Sequence, residues 1–136
     1  MGSKGVEICC GQIDTDVIDK IDAEYTFCEE ESSMLNRMYR EYLFPDIAIY
    51  SYQEGENFII CMISISTEGI STPEGIELFM TKDDVFATYG NDVQQYMAQY
   101  YYFDGTTYLA FAFDENDNLR SIKYFNPYAW ECIVKS

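Results

Sequence analysis

The feature that most constrains the fold of this chain is a pair of apolar runs joined by a short, glycine-containing turn. Residues 47–53 and 58–66 are rich in isoleucine, tyrosine and phenylalanine, and they flank the turn at 54–57. β-Branched and aromatic side chains favour extended backbone, and glycine supplies the turn conformation. The sequence therefore predicts an antiparallel hairpin in this region.

The same arrangement returns in the second half of the chain. Residues 100–103 and 107–113 flank Asp104-Gly105, a dipeptide typical of hairpin turns. A further strand is predicted over 119–125, after the polar turn at 114–118. Each half is thus expected to contain antiparallel strands.

Two segments that precede these strands have helical periodicity. Apolar residues recur at positions i, i+1 and i+4 in both: Val17, Ile18 and Ile21 in the first, and Val85, Phe86 and Tyr89 in the second. Thr81 predicts the N-cap of the second helix and Gly90 its end. For the segment 32–42, a further helix and a loop are both expected alternatives.

The constant offset between the two helical patterns indicates an internal repeat. We therefore expect one α+β domain over 1–136, made of two tandem helix-plus-antiparallel-strand repeats that share one sheet. Repeat one covers 6–66, a connector covers 67–76, repeat two covers 77–126, and a C-terminal tail covers 127–136.

The charge of the chain excludes one class of partner and favours another. It has 24 acidic and 8 basic residues, a formal net charge of -16. Such a charge repels phosphate backbones and attracts basic partners, so we expect no direct nucleic-acid binding. Glu29-Glu30-Glu31 is either a site that attracts a cation or a basic partner, or a solvated acidic loop. No run reaches the ~20 apolar residues of a transmembrane helix.

The absence of histidine limits the chemistry of the chain. Ser-His and Cys-His nucleophile pairs are impossible, and no catalytic motif stands out. Asp114, Asn116 and Asn118 match the first ligand positions of a calcium loop. Leu119 and Phe125 replace the glycine and the bidentate glutamate that such a loop requires. The sequence predicts no enzyme activity, no metal site and no cofactor.

Five cysteines stand at positions 9, 10, 28, 61 and 132, without the close pairs of a zinc site. Cys61 lies in an apolar strand and is expected to be a small buried hydrophobe. Cys28 is predicted to lie in a loop. A disulfide of Cys28 with Cys9 or Cys10 is expected if the compartment is oxidising.

Tyrosine is the residue type that most suggests binding. The candidate partner surface consists of aromatic residues of the two predicted hairpins: Tyr50, Tyr52, Tyr100, Tyr101, Tyr102 and Phe103. Alternate residues of a strand face opposite sides, so one set is expected under the helices and the other on an open face. Tyrosine is a favoured anchor at protein interfaces. Packing alone is the alternative role for these rings.

Several motifs along the chain resemble a bacterial family. They are the string 70–76 (Ile-Ser-Thr-Pro-Glu-Gly-Ile), a capped helix ending Tyr89-Gly90, a tyrosine-rich hairpin, and the string 109–114 (Leu-Ala-Phe-Ala-Phe-Asp). Over nearly the whole chain, the pattern is similar to that of poorly characterised secreted proteins and lipoproteins of Gram-positive gut bacteria. Such sequences are similar to the fold of the β-lactamase inhibitor protein and of small outer-membrane assembly lipoproteins.

The resemblance implies a noncatalytic binding scaffold, with one curved sheet and helices on one face. It also implies a secreted or cell-surface-anchored protein whose leader is absent from this sequence. Two departures concern the second helix and export. Leu78-Phe79-Met80 stands where the family has a glycine motif, and Cys9-Cys10-Gly11 lacks the apolar run of a lipobox.

Three functions are therefore carried as hypotheses. The leading one is a noncatalytic, extracytoplasmic protein-binding domain that docks a partner on an acid-rimmed aromatic sheet. The alternative is an intracellular acidic inhibitor that mimics nucleic acid toward a basic protein. The third is a hydrolase that uses carboxylates alone.

Overall fold

The computed structural model describes residues 2–3, 6–65, 67–96 and 98–135. The strands in these ranges are β1 (Gly2–Ser3), β2 (Val6–Glu7), β3 (Thr26–Ser32), β4 (Arg37–Leu43), β5 (Ile47–Glu54), β6 (Asn57–Ile65), β7 (Gln94–Tyr96), β8 (Gln99–Phe103), β9 (Tyr108–Phe113) and β10 (Leu119–Phe125). The helices are α1 (Asp14–Ile18), α2 (Lys82–Tyr89) and α3 (Pro127–Ala129), which continues into a π-helix over Trp130–Lys135. None of these helices is long and apolar enough to cross a membrane.

Eight of the strands form one antiparallel sheet, in the order β3-β4-β5-β6-β10-β9-β8-β7. β6 and β10 meet at its centre, where Ile122 pairs with Ile65 and Phe125 pairs with Met62. The outer strands are β3 and β7. β1 and β2 form a separate two-stranded ribbon.

The prediction of two tandem helix-plus-antiparallel-strand repeats with helices on one face is wrong. One eight-stranded sheet dominates the fold, whereas α1 has five residues and α2 has eight. The C-terminal helices cover the face opposite to α1 and α2. The segment 32–42 forms a turn over 33–36 and then β4 instead of a helix, because pairing with β3 and β5 outweighs its weak local helical spacing.

Both predicted hairpins are confirmed. β5 pairs with β6, and Glu54 lies opposite Asn57 at the turn. Gly55 has a φ of 65°, in the left-handed region that glycine adopts without steric strain. β8 pairs with β9, and Phe103 lies opposite Tyr108. Local turn chemistry and strand propensity are therefore sufficient to define these elements.

The limits of α2 also agree with the prediction. Thr81 Oγ1 accepts a 3.2 Å hydrogen bond from the Asp84 backbone N–H, and Asp84 Oδ2 accepts a 3.1 Å bond from the Thr81 N–H. This reciprocal pair is a capping box. At the other end, the Gly90 N–H donates to the Phe86 carbonyl. The cap and the buried Val85 together fix α2 on the sheet.

The first face of the sheet, which α1 and α2 cover, carries the larger core. Apolar residues of both helices pack there against isoleucines and phenylalanine of the central strands: Val17, Ile18, Val85, Ile49, Ile63, Phe111 and Ile122. Removing such side chains from water is the main driving force of folding.

The second face is covered by the C-terminal segment 127–135, which the sequence analysis treated as a tail. The Trp130 ring stacks on Tyr108 with centroids 4.2 Å apart and planes 5° apart. Tyr101 meets Trp130 edge-on at 6.0 Å. Other buried members of this core are Leu35, Tyr52, Cys61, Ala110, Phe125 and Ala129. The segment therefore completes a second core.

Candidate functional site

The six aromatic residues predicted to form a partner surface do not lie together on one surface. Four have ring contacts with α2 or the C-terminal segment: Tyr52, Tyr100, Tyr101 and Tyr102. Tyr50 is half-buried on the second face, and Phe103 is 51% exposed. Tyr50 and Phe103 thus remain as candidates for direct contact with a partner.

On the first face, Tyr100 and Tyr102 pack against α2. The Tyr100 ring lies 5.6 Å from Phe86, and the Tyr102 ring lies 5.3 Å from Tyr89. The Tyr102 hydroxyl donates a 2.7 Å hydrogen bond to the Gly90 carbonyl, at the end of the helix. These contacts give both tyrosines a role in attaching α2 to the sheet.

On the second face, Tyr50 lines a pocket of about 330 Å³ that we call the acidic pocket. Its floor is apolar and comes from the β3–β4 turn, β6 and the π-helix: Leu35, Cys61, Met62 and Ile133. Its rim is polar and comes from β3, β4 and β5: Glu30, Glu31, Tyr39 and Tyr50. An apolar floor with a few oriented polar groups is the usual composition of a ligand site.

Tyrosine and carboxylate groups are adjacent at this rim. The Tyr39 hydroxyl donates a 2.6 Å hydrogen bond to Glu30 Oε1, which raises the pKa of Tyr39. Burial, and then the neighbouring Glu41, raise the pKa of Tyr50. Burial, Glu30 and Glu41 likewise raise the pKa of the Cys28 thiol. Each shift has the sign expected in a region of negative potential.

The carboxylates of this region lack basic partners within the described ranges. Three described cations form ion pairs elsewhere: Arg40 with Asp14 and Glu29, Lys82 with Asp117, and Arg120 with Asp114. No described lysine or arginine forms an ion pair with Glu30, Glu31 or Glu41. The rim carboxylates therefore have no direct ion pair with a described lysine or arginine, and they can attract a cation.

Beside the pocket, the chain itself places a cation on tyrosine rings. The Arg37 guanidinium carbon lies 5.0 Å from the centroid of Tyr52 and 4.7 Å from that of Tyr128. Its Nη1 donates a 3.2 Å hydrogen bond to the Gln53 carbonyl. Contacts at these distances are cation–π interactions. The second face can therefore hold a basic side chain against tyrosine.

The disulfide predicted between Cys28 and Cys9 or Cys10 is absent, and these three cysteines are thiols. Cys28 lies in the outer strand β3, and the Gly11 N–H after Cys10 bonds to the Ile60 carbonyl of β6 at 2.8 Å. Three strand spacings of ~4.8 Å separate β3 from β6. A disulfide needs Cα atoms within ~7 Å, so the strand pairing excludes it.

The first face contains a buried polar cluster that was not predicted from the sequence. Asp14, at 1% exposure, accepts hydrogen bonds at Oδ2 from Tyr42 Oη at 2.9 Å and Ser51 Oγ at 2.8 Å. Arg40 Nη1 lies 3.4 Å from the same oxygen, and its guanidinium covers the Phe58 ring at 3.7 Å. Asp14 and Ser51 are enclosed, so the cluster is a structural network.

In the turn at 114–118, the Asp114 carboxylate accepts hydrogen bonds from the backbone of the turn itself. Asp114 Oδ1 accepts hydrogen bonds of 2.9 Å from the Asn116 and Asn118 N–H groups. These backbone bonds lower the pKa of Asp114. No group of three metal-ligating residues occurs in the described part of the chain. The Asp-x-Asn-x-Asn pattern therefore has a turn-forming role here.

A second pocket, of about 300 Å³, lies on the first face at the end of α2 and is lined by Tyr89, Tyr102 and Tyr124. The Tyr89 hydroxyl donates to Glu74 Oε1 at 2.5 Å and lies 2.7 Å from Thr72 Oγ1. The Tyr124 hydroxyl is buried without a hydrogen-bond partner among the described residues. The hydroxyls of Tyr89 and Tyr102 are thus engaged within the protein.

Comparison with known proteins places the chain by its fold alone. No family model matches it, and no curated protein matches it. A solved structure that it resembles is an extracellular protein containing an SCP domain from Bacillus anthracis str. Ames. The TM-score is 0.62 at 9% sequence identity, over 97% of this chain and 50% of the other. The chain thus spans about half the length of that protein, and the likeness concerns backbone architecture.

Proposed function

We propose that this chain is a noncatalytic, extracytoplasmic protein-binding domain that seats a basic side chain of its partner in the acidic pocket. The observation that carries the proposal is the carboxylate rim above an apolar floor. Glu30 and the adjacent Glu41 supply the charge on this face, and Tyr39 and Tyr50 supply aromatic surface.

A lysine or arginine side chain matches both parts of this pocket. Its aliphatic stem fits the floor formed by Leu35, Met62 and Ile133, and its charged head fits the rim. Tyrosine faces attract the same head by cation–π interaction. The net charge of -16 adds long-range attraction that speeds the approach of a basic protein.

The chemistry of the chain supports binding over catalysis. No histidine is available as a general base, and the Asp14 carboxylate is enclosed by Tyr42 and Ser51. The acidic pocket holds glutamates, two tyrosines and Cys61, whose pKa burial raises to about 12. A thiol with so high a pKa is a poor nucleophile at neutral pH.

The extracytoplasmic location rests on two supports. The solved structure that this chain resembles is described as an extracellular protein. A chain with three times as many acidic as basic residues suits a protein that acts in solution outside the cell. Fractionation of the native host, with an antibody against this domain, tests the location. Recovery from the cytosol alone would contradict it.

The binding proposal is tested by NMR titration with Nα-acetyl-lysine methylamide, using the uncharged norleucine analogue as the matched ligand control. We expect lysine to shift the methyl signals of Met62 and Ile133, and norleucine to shift them less. Glu30→Gln should weaken lysine binding several-fold, because it removes one rim charge. Glu115→Gln, in the exposed turn at 114–118, should leave the affinity nearly unchanged.

Two results would count against the acidic pocket. Shifts spread evenly over the acidic surface, with equal effects of Glu30→Gln and Glu115→Gln, would show binding by net charge alone. That outcome would favour the alternative, an acidic inhibitor that mimics nucleic acid. Equal binding of norleucine and lysine would show an apolar site without selection for charge.

A further inference from the structure

We infer that the free edge of β3 accepts an extended basic segment of the partner as an additional strand, with one of its cationic side chains beside Glu30 at the rim of the acidic pocket. This inference rests on the proposed function and specifies how the partner binds. It follows from the position of β3 in the sheet, from its charges and from the alternation of side chains along a strand.

β3 is an outer strand with seven residues available for pairing. Its inner edge pairs with β4 from Thr26 opposite Leu43 to Ser32 opposite Arg37. Its outer edge has no neighbouring strand among the described residues. Alternate residues of such an edge point their N–H and C=O groups outward, where another strand can pair with them.

The charges of β3 select which strand can pair. Glu29 lies on the first face, where its Oε1 accepts a 2.8 Å bond from Arg40 Nε. Glu30 lies on the second face beside Tyr39, and Glu31, which follows it in β3, alternates to the first face. A second copy of β3 would bring like charges together at both faces, which disfavours self-pairing. A basic strand would bring opposite charges together.

The outer rim of the acidic pocket, at Glu30, lies next to the position of a strand paired with β3. Residues directly opposite each other in adjacent strands share a face. A side chain of the added strand opposite Glu30 therefore projects on the second face, toward the acidic pocket. The side chains at i-1 and i+1 project on the first face, toward Glu29 and Glu31. We therefore expect two or three basic residues within about seven residues of the partner.

Backbone methylation separates strand pairing from simple charge attraction. The probe is an eight-residue peptide of alternating lysine and threonine, with two isomers N-methylated at either the odd or the even positions. In a paired strand, alternate N–H groups point to the neighbour. We expect one isomer to lose at least tenfold in affinity, and the other to bind within about threefold of the unmodified peptide.

Cys28 supplies a test of register. It lies on β3 two residues from Glu30, so both side chains share the second face. A peptide cysteine activated as its nitrothiobenzoate disulfide should exchange with the Cys28 thiol, releasing nitrothiobenzoate, when it lies opposite. Moving the peptide cysteine by one position turns it to the other face. Cys9→Ser removes the exposed competing thiol in this experiment.

We expect one of the two methylated isomers to lose affinity. We expect the peptide cysteine to cross-link to Cys28 only when it stands at alternate positions of the peptide. Equal affinities of the two methylated isomers, whether high or low, would overturn strand addition. So would equal cross-linking at every position. In either case, selective weakening by Glu30→Gln would still support the pocket, so failure of this inference is distinguishable from failure of the proposed function.

Discussion

The Tyr39 hydroxyl donates a 2.6 Å hydrogen bond to Glu30 Oε1 across the outermost strand pair of the sheet. Tyr39 stays protonated in this bond, because the bond raises its pKa above the usual value for tyrosine. The bond fixes the position of the Glu30 carboxyl group on the pocket rim. The pair illustrates how a structural contact can orient a carboxylate toward a cation.

The reactivity of Cys28 should report the negative potential at this rim. Burial, Glu30 and Glu41 raise its pKa and so lower its thiolate fraction. Glu41→Gln removes one of these charges, and we expect alkylation by iodoacetamide at pH 8 to become about two- to threefold faster. The measurement is the rate of Cys28 labelling by peptide mass spectrometry.

The matched control for that experiment is Glu68→Gln, in the exposed connector, which should leave the rate unchanged. Added salt should speed labelling of the unmodified protein and reduce the difference between the variants, because salt screens the carboxylates. A Cys28 rate that is identical in all three proteins would contradict a negative potential at this site.

The Asp14 cluster should contribute strongly to stability. Asp14→Ala leaves the Tyr42 and Ser51 hydroxyls and the Arg40 guanidinium without their shared acceptor. We expect it to lower the free energy of unfolding by about 3 kcal/mol, measured by urea denaturation. Asp16→Ala, at an exposed position of α1, should change it by less than about 0.5 kcal/mol. A loss below about 1 kcal/mol for Asp14→Ala would refute the cluster's role.

Tyr124→Phe should leave the protein equally stable or make it more stable. The hydroxyl of Tyr124 is buried and has no partner in the described part of the chain, so its removal relieves a desolvation cost. The expected change is between zero and about 1 kcal/mol of added stability. Tyr42→Phe is the contrasting variant, because the Tyr42 hydroxyl bonds to Asp14. Its free energy of unfolding should be about 1 to 2 kcal/mol lower than that of the unmodified protein. Thermal unfolding of both distinguishes a free hydroxyl from a bonded one.

Trp130→Ala should destabilise the second core. Trp130 is 2% exposed and stacks on Tyr108, so truncation removes a large buried surface. We expect a loss of about 3 to 5 kcal/mol in urea denaturation. Met34→Ala, at an exposed position, should cost less than about 0.5 kcal/mol.

Trp130 is the single tryptophan, so its fluorescence should change in the same transition as the sheet signal in circular dichroism. Separate transitions would show that 127–135 is not part of the cooperative unit.

The site was predictable in part. Glu29-Glu30-Glu31 stood out as a possible attractant for a basic partner, but the segment was expected to be a loop. An outer strand is solvated on both faces over much of its length, so it lacks the apolar alternation that marks a strand. The pocket floor joins Leu35, Met62 and Ile133, which are distant in sequence. The spacing of residues along the sequence does not predict that these three side chains come into contact.

The sequence by itself determined the local elements: the β5–β6 and β8–β9 hairpins, β10 and the capped helix α2. Their turn residues, caps and strand propensities act over a few neighbouring positions. Only the tertiary structure decided that β3 and β4 extend the sheet, that 127–135 covers the second face, and that Cys28 cannot reach Cys10. These outcomes depend on strand pairing and burial between segments that are distant in sequence. The free energies of such contacts cannot be inferred from any short window of sequence.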